Sequence, residues 1–291
     1  MIKQNNILNN PNIKVISKLG NFTVLEHQKD LSVNPATVVE NYFASKMNVR
    51  RRQVMIDLEK ENCILQAGAM QYMLGDLQMS SGVKGIGNFL GKMASAAVTK
   101  ESAVKPEYSG TGTILLEPTT KYILLVEVSQ WGHLVLEDGM FLASSGTVQQ
   151  KVVARSNVSS ALLGGEGLFN LSLTGQGIAA LESPVPMEEL IVVTLDNDQM
   201  KIDGNMAVAW SGSLDFTVEK SAKGLIGSAV SGEGFVNVYR GSGKILLAPT
   251  INERKAGQTS DSDSDNAESQ SKSSKIGNVL DGVSNVLDIF S

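Results

Sequence analysis

A chain that repeats itself at a fixed period can fold only as arrangements of one unit, and this chain states one theme three times. The segments TILLEPT (113–119), GIAALESP (177–184) and KILLAPT (244–250) end alike, with Pro118, Pro184 and Pro249 lying 66 and then 65 residues apart. Upstream of each stand the glycine pairs Gly110/Gly112, Gly175/Gly177 and Gly241/Gly243. Leu65, Leu136 and Ile202 each precede a further glycine, Gly75, Gly146 and Gly212, by ten residues. Several landmarks recurring together mean one supersecondary unit used three times, so residues from about 52 to 250 form one body of three modules.

The content of each module is β. VMIDL (54–58), ILLVEV (123–128) and LIVVTL (190–195) are rich in β-branched residues, as half-buried strands are. Asp138-Gly139 and Asp203-Gly204 are hairpin dipeptides. The strands AMQYML, MFLASS and NMAVAW return, and each module closes on its proline-terminated strand. About 65 residues per unit exceeds a leucine-rich repeat or a propeller blade and suits a small β-sandwich or β-roll. Three such modules in a pseudo-threefold ring would cover one another's sheet edges. The expected fold is therefore all-β, with repeats over 52–118, 119–184 and 185–251.

Around this body lie three other regions. Residues 1–51 are a mixed polar extension with one strand-like run at Phe22–Leu25. A short helix starts near Asn34-Pro35, where Asn caps and Pro takes the first turn. Val38, Val39, Tyr42, Phe43 and Met47 follow at helical spacing, which predicts that the helix packs on the body. Residues 252–275 are acidic and Ser-rich and predict a disordered linker. Residues 276–291 carry a helical stripe of Ile276, Val279, Leu280, Val283, Val286, Leu287 and Phe290. So short a helix needs something to pack against.

Charge and composition narrow the functions. The formal net charge is −5, and Lys255 to the end contributes −3 of it, from three Lys and six acids. That balance argues against general nucleic-acid binding, which needs clustered Lys and Arg. Arg50-Arg51-Arg52 is the one basic cluster, and it reads as a solvated face. Cys63 is the sole cysteine, so no intramolecular disulfide forms, as suits a reducing compartment. The N-terminus lacks the apolar core of a secretion signal, and no stretch reaches the ~18 apolar residues of a spanning helix. The expectation is a cytoplasmic protein without a transmembrane segment.

Residues 53–83, the glycine-rich segment after them and the recurring LLEPT and LLAPT endings resemble the family named for altered inheritance of mitochondria, over about 52–250. The resemblance implies three tandem β-modules like those of the tryptophan-regulated RNA-binding attenuator protein, a double-stranded β-helix type of fold. It links fungal members to mitochondrial inner-membrane organisation and implies no catalytic residues. The N-terminus here is not Arg-rich, which argues against a mitochondrial address.

No catalytic or metal constellation emerges from the residues. His27 and His133 stand in different regions, too few for a transition-metal site. Cys63 has no local base and sits in a strand-like run, where Cys behaves as a small apolar residue. GSGK (241–244) lacks the spacing of a phosphate loop, and a strand follows it. No cofactor is expected. The glycine-punctuated middle of each repeat is more informative. Ile86, Phe89, Leu90 and Met93, with Leu162, Leu163, Leu225 and Ile226, either cap the core or gather at one end as a docking surface. The same two readings hold for Val279, Leu280, Val283, Val286, Leu287 and Phe290, whose acidic polar face disfavours an anionic membrane. The expectation is a non-enzymatic scaffold or adaptor that meets protein partners, its own copies or a membrane periphery through these residues. The alternative is a small-ligand or RNA-binding module.

Overall fold

The computed structural model describes residues 3–29, 31–32, 34–80, 105–154, 169–204, 206–220 and 235–250. Among them every strand pairing is antiparallel, and the strands form two sheets.

The N-terminal region contributes more strand than its polar composition predicts. β1 (Ile13–Leu19) and β2 (Phe22–His27) form a hairpin, and β2 continues into the body by pairing with β3 (Arg52–Leu65). β5 (Glu107–Leu116) lies between β3 and β4 (Met70–Ser80). At the far end of the chain the order recurs. β15 (Phe235–Leu247) lies between β12 (Ile191–Asp203) and the pair β13 (Ala207–Ser211) and β14 (Asp215–Lys220).

The middle stretch has the same ingredients in broken form. β6 (Tyr122–Glu127), β8 (Phe141–Ser145) and β11 (Ile178–Ser183) join the first sheet. β7 (His133–Leu136), β9 (Val148–Ala154) and β10 (Phe169–Gly175) join the second. A 3-10 turn at Val128–Trp131 carries the chain from one sheet to the other. β8 pairs with β3, and β7 pairs with β13, so the middle stretch is the bond between the two sheets.

Long strands here switch faces. Val54, Ile56 and Leu58 of β3 are buried, and then Cys63 and Leu65 are. The parity changes across Lys60, which has φ 62° and sits at a register shift between Glu59 and Glu61. One extra residue turns every later side chain to the opposite face. β12 repeats the device. Leu195 and Ile202 are buried on either side of a register shift that includes Asn197, at φ 48°. The hairpin dipeptides behave as their sequence predicts, with Gly139 at φ 76° and Gly204 at φ 69°.

The core is mostly aliphatic, with buried rings such as Phe22, Tyr108 and Phe141 and one aromatic cluster. Trp210, Phe216 and Tyr239 cluster with ring centroids 4.9–5.5 Å apart. Cys63 lies wholly inside, and burial pushes its thiol up to about 12, so it is an inert core group.

Two expectations are corrected. Arg52 is not part of a solvated face but is 2% exposed, its guanidinium 2.8 Å from the Glu26 carboxylate and 4.0 Å over the Tyr122 ring. The predicted helix, α1 (Val38–Lys46), exists but does not bury its apolar stripe on the body, and none of its residues is buried.

Candidate functional site

α1 is held by its ends. The Asn34 carboxamide oxygen accepts from the amides of Ala36 (2.9 Å) and Thr37 (3.2 Å), which orders the entry. At the exit Asn48 adopts φ 62°, the Val49 amide reaches back to the Ala44 carbonyl at 2.9 Å, and the Asn48 amide reaches the Ser45 carbonyl at 3.1 Å. That is a Schellman closure with Asn in the left-handed position. It returns the chain to Arg50, whose Nε donates to Asn48 Oδ1 at 2.8 Å and whose Nη1 donates to the Gln28 carbonyl. The helix is thereby fastened across the β1–β2 hairpin.

Its two faces point the wrong way for a simple core helix. Glu40, Asn41, Ala44 and Ser45 face inward over a cavity of about 490 Å³. Val38, Val39, Tyr42, Phe43 and Met47 face out, exposed from 45% at Val38 to 78% at Met47. Tyr42 and Phe43 meet edge to face with centroids 5.5 Å apart, and the Lys46 ammonium sits 5.3 Å from the Tyr42 ring centroid. Side chains on one helical face that stay exposed need a further surface to cover them.

The cavity floor is a chain of polar side chains on the strands. His27 Nε2 lies 2.8 Å from Gln53 Oε1. Gln53 Nε2 donates to the Leu116 carbonyl and to Gln71 Oε1, both at 2.9 Å. An amide oxygen only accepts, so in this contact His27 Nε2 is the donor. His27 thus has an ordered hydrogen bond and also lines the cavity. The other histidine, His133, bonds Ser172 and stands against Gly212, remote in sequence from this floor.

The residues predicted to dock partners, Ile86, Phe89, Leu90, Met93, Leu162, Leu163, Leu225 and Ile226, lie outside the described residues. So do Val279, Leu280, Val283, Val286, Leu287 and Phe290. The residues that come together instead are those of α1, the β1–β2 hairpin and the start of β3. Gln53 was overlooked, although a glutamine inside an otherwise apolar strand is itself a signal of a polar neighbour. Among the described residues no group of three or more His, Cys, Asp or Glu could hold a metal ion, and no helix is long and apolar enough to cross a membrane.

Comparison with known proteins places this body among relatives. The family model described as Mitochondrial biogenesis AIM24 matches residues 46–250. An uncharacterized protein of Streptococcus pyogenes serotype M6 is 34% identical over 213 residues, 70% of this chain and 84% of that protein. The X-ray crystal structure of a Streptococcus pyogenes protein superposes with a TM-score of 0.50 at 29% identity, covering 68% of this chain and 88% of the other. The β1–β2 hairpin and nearly all of α1 precede the matched segment, so the cavity forms where the N-terminal region meets the matched body.

Proposed function

The chain belongs to the Mitochondrial biogenesis AIM24 family, and from that premise we propose that it is a non-enzymatic scaffold that docks a protein partner on the outward face of α1. The observation that carries the reading is the exposed row of Val38, Val39, Tyr42, Phe43 and Met47 on a helix fastened at both ends. A preordered apolar helix face suits a groove on another protein, because little ordering entropy remains to oppose binding. Lys46 stands within the row, its ammonium 5.3 Å from the Tyr42 ring centroid, so the matching groove has an acidic rim. The glycine-punctuated segments around Phe89, Leu163 and Ile226 and the stripe from Val279 to Phe290 serve the same scaffold as further contacts.

The body behind that surface is, in this reading, three equivalent modules in pseudo-threefold relation, like the double-stranded β-helix units of the attenuator protein. The shared strand order supports it, with β5 and β15 each central in their groups. So do the parity switches at Lys60 and Asn197, whose repeat counterpart Trp131 ends the 3-10 turn. The recurring glycines Gly110, Gly175 and Gly241 share positive φ values of 121°, 99° and 114°.

The test is a photo-crosslinking side chain placed at Phe43 in the full chain and, as control, at Lys201 on β12, in native lysate. A discrete protein adduct at position 43 alone, with an acidic-rimmed apolar groove at the crosslinked site, supports the reading. Adducts equal at both positions, or none at 43, overturn it. The cavity beneath the same helix favours a second reading, that of a small-ligand module.

A further inference from the structure

We infer that the outer edges of β4 and β12 pair with each other between two copies of this chain. The inference rests on the three-module reading and extends it to assembly.

The chain already makes this contact twice within itself. At the first, residues 63–65 of β3 lie antiparallel to residues 143–145 of β8. The Gln66 amide donates to the Leu142 carbonyl at 2.8 Å on one side, and the Gly146 amide donates to the Asn62 carbonyl at 2.7 Å on the other. At the second, residues 134–136 of β7 pair with residues 209–211 of β13. There the Glu137 amide donates to the Val208 carbonyl at 3.1 Å, and the Gly212 amide donates to the His133 carbonyl at 2.8 Å. The two sets of bonds fall at matching places in the repeat, counted from Leu65 and Leu136 and from Gly146 and Gly212.

Both contacts use the same two devices. Leu142 and Val208 are bulge residues, skipped in the ladders of β8 with β11 and of β13 with β15. A bulged residue is left out of its own ladder, so its carbonyl is open to a strand on the other side. Gly146 and Gly212 make room for that strand, because a Cβ there would collide with Asn62 and His133.

β4 has both devices and lacks the neighbour. Gln71 is skipped in its ladder with β5, and Gly75 follows at the same spacing as Gly146 and Gly212. Among the described strands β4 pairs with β5 alone. β8 and β13 are buried almost throughout, whereas Gln71, Met73 and Gly75 are exposed and Tyr72 and Leu74 only half-buried. β12 carries the other half of the contact. Its residues 199–203 stand where 62–66 and 133–137 stand, with Ile202 as the counterpart of Leu65 and Leu136. Among the described strands β12 pairs with β15 alone. Each chain therefore has one unfilled edge of each kind, and a second copy is the occupant that presents the complement of both, head to tail. The register of the two existing contacts sets Tyr72 opposite Ile202, Met73 opposite Lys201 and Leu74 opposite Met200. Two of these three pairs are apolar, and pairing covers long edges that would otherwise recruit strands unselectively.

Disulfide trapping between differently substituted chains tests the pairing. Full-length chains carrying Met73→Cys or Lys201→Cys are oxidised separately and as a mixture, and the assembly of wild type is followed by light scattering. Directly opposed residues on antiparallel strands stand within disulfide reach. Cys63 is buried and stays out of the reaction. The expected result is an assembled wild type and a linked dimer in the mixture that neither chain forms alone. Met73→Lys sets two ammonium groups opposite each other and should raise the dissociation constant at least about tenfold. Met73→Lys/Lys201→Glu should return it to within about threefold of wild type. Both positions are exposed in the single chain, so an unchanged unfolding transition is the control for folding.

A wild type that stays monomeric up to about 100 μM overturns the inference. So does a mixture that gives no more linked dimer than the separate chains, or an assembly that Met73→Lys leaves intact. A chain bearing both Met73→Cys and Lys201→Cys that links only within itself would overturn the second copy and leave the three modules standing, so the two failures are distinguishable. Replacing Tyr42 and Phe43 by Ser leaves the assembly unaltered, because the α1 face takes no part in it. A crosslinker at Lys201 then captures a second copy of this chain, an adduct that its mass separates from a partner held at position 43.

Discussion

Arg52→Ala tests whether the N-terminal hairpin is part of the folded body or an ornament on it. Arg52 opens β3, and its backbone exchanges hydrogen bonds of 2.7 and 2.9 Å with Thr119. Its side chain reaches back to β2, where Nε and Nη2 meet Glu26 Oε2 at 2.9 and 2.8 Å. It also reaches forward, where Nη1 donates to the Thr120 carbonyl at 3.2 Å and the guanidinium covers Tyr122. One side chain thus ties three segments together. Removing one partner of a buried ion pair costs about 3–5 kcal/mol, because the other charge is stranded. Glu26 is 15% exposed and has Arg50 at 3.8 Å as a partial substitute, which places the electrostatic loss at the low end. Loss of the ring contact adds roughly 1 kcal/mol, for a total of about 4 kcal/mol. Urea unfolding followed through the fluorescence of Trp131 and Trp210 measures it. The double variant Glu26→Gln/Arg52→Met, which leaves no stranded charge, should recover at least about 2 kcal/mol relative to the sum of the singles. An Arg52→Ala loss under about 1 kcal/mol, or additive single and double variants, would refute the reasoning.

The remaining predictions use other parts of the molecule. Burial, with a smaller push from the Glu107 carboxylate, raises the Cys63 thiol from its ordinary 9.0 to about 12. The folded state therefore holds this proton more tightly than the unfolded one. The stability it supplies is complete below pH 9 and declines as pH rises toward 12, which alkaline unfolding of Cys63→Ala against wild type would show. Disulfide reagents should modify Cys63 no faster than the protein unfolds at neutral pH. Glu219 is held below the usual carboxylate range, chiefly by the Arg240 hydrogen bond and next by Thr217. Its contribution is present above that range and vanishes as pH falls through the lowered value. Glu219→Gln should therefore destabilise slightly at neutral pH, with the gap closing in acid, and a gap that widens in acid would be contrary. Tyr42→Ser/Phe43→Ser removes roughly 200 Å² of exposed aromatic surface, worth up to about 5 kcal/mol to a partner at ~25 cal/mol/Å². Unfolding free energy should stay within about 0.5 kcal/mol, while partner affinity falls at least about a hundredfold.

The strands were legible where one face is buried and the alternation is clean. LIVVTL, MFLASS and NMAVAW became β12, β8 and β13, and the Asp-Gly pairs became turns. β1 was not legible, because its register shifts between Val15 and Ser17 and breaks the alternation of IKVISKL, leaving Val15 and Ile16 exposed while Ser17 and Leu19 are half-buried. The bulges at Lys60 and Asn197 were invisible for a different reason. A one-residue bulge preserves composition and changes only the phase of the pattern, so β3 reads as one strand with a flaw rather than as two faces in succession. The breakage of the middle stretch between two sheets has the same origin. Its 3-10 turn, Val128–Trp131, is no richer in turn residues than its neighbours.

The site was legible in outline and misread in direction. Helical spacing locates a stripe on α1 without saying which side of the stripe meets the body. Periodicity then defaults to burial, because burial is what apolar residues usually gain. The information that reverses α1 is not in the helix. It lies in Gln53, a polar side chain on the inward face of β3 that must satisfy its amide, and in His27 and Gln71, which do so. It lies also in Arg50 and Arg51, cations that cannot be covered by Val38 or Phe43 without losing their hydration. A strand surface that polar and that basic accepts the side of α1 bearing Glu40, Asn41 and Ser45 and leaves the apolar side out. The helix therefore carries two exposures of opposite chemistry, a polar one over the cavity and an apolar one away from it. The composition of the strands beneath it decides which is which.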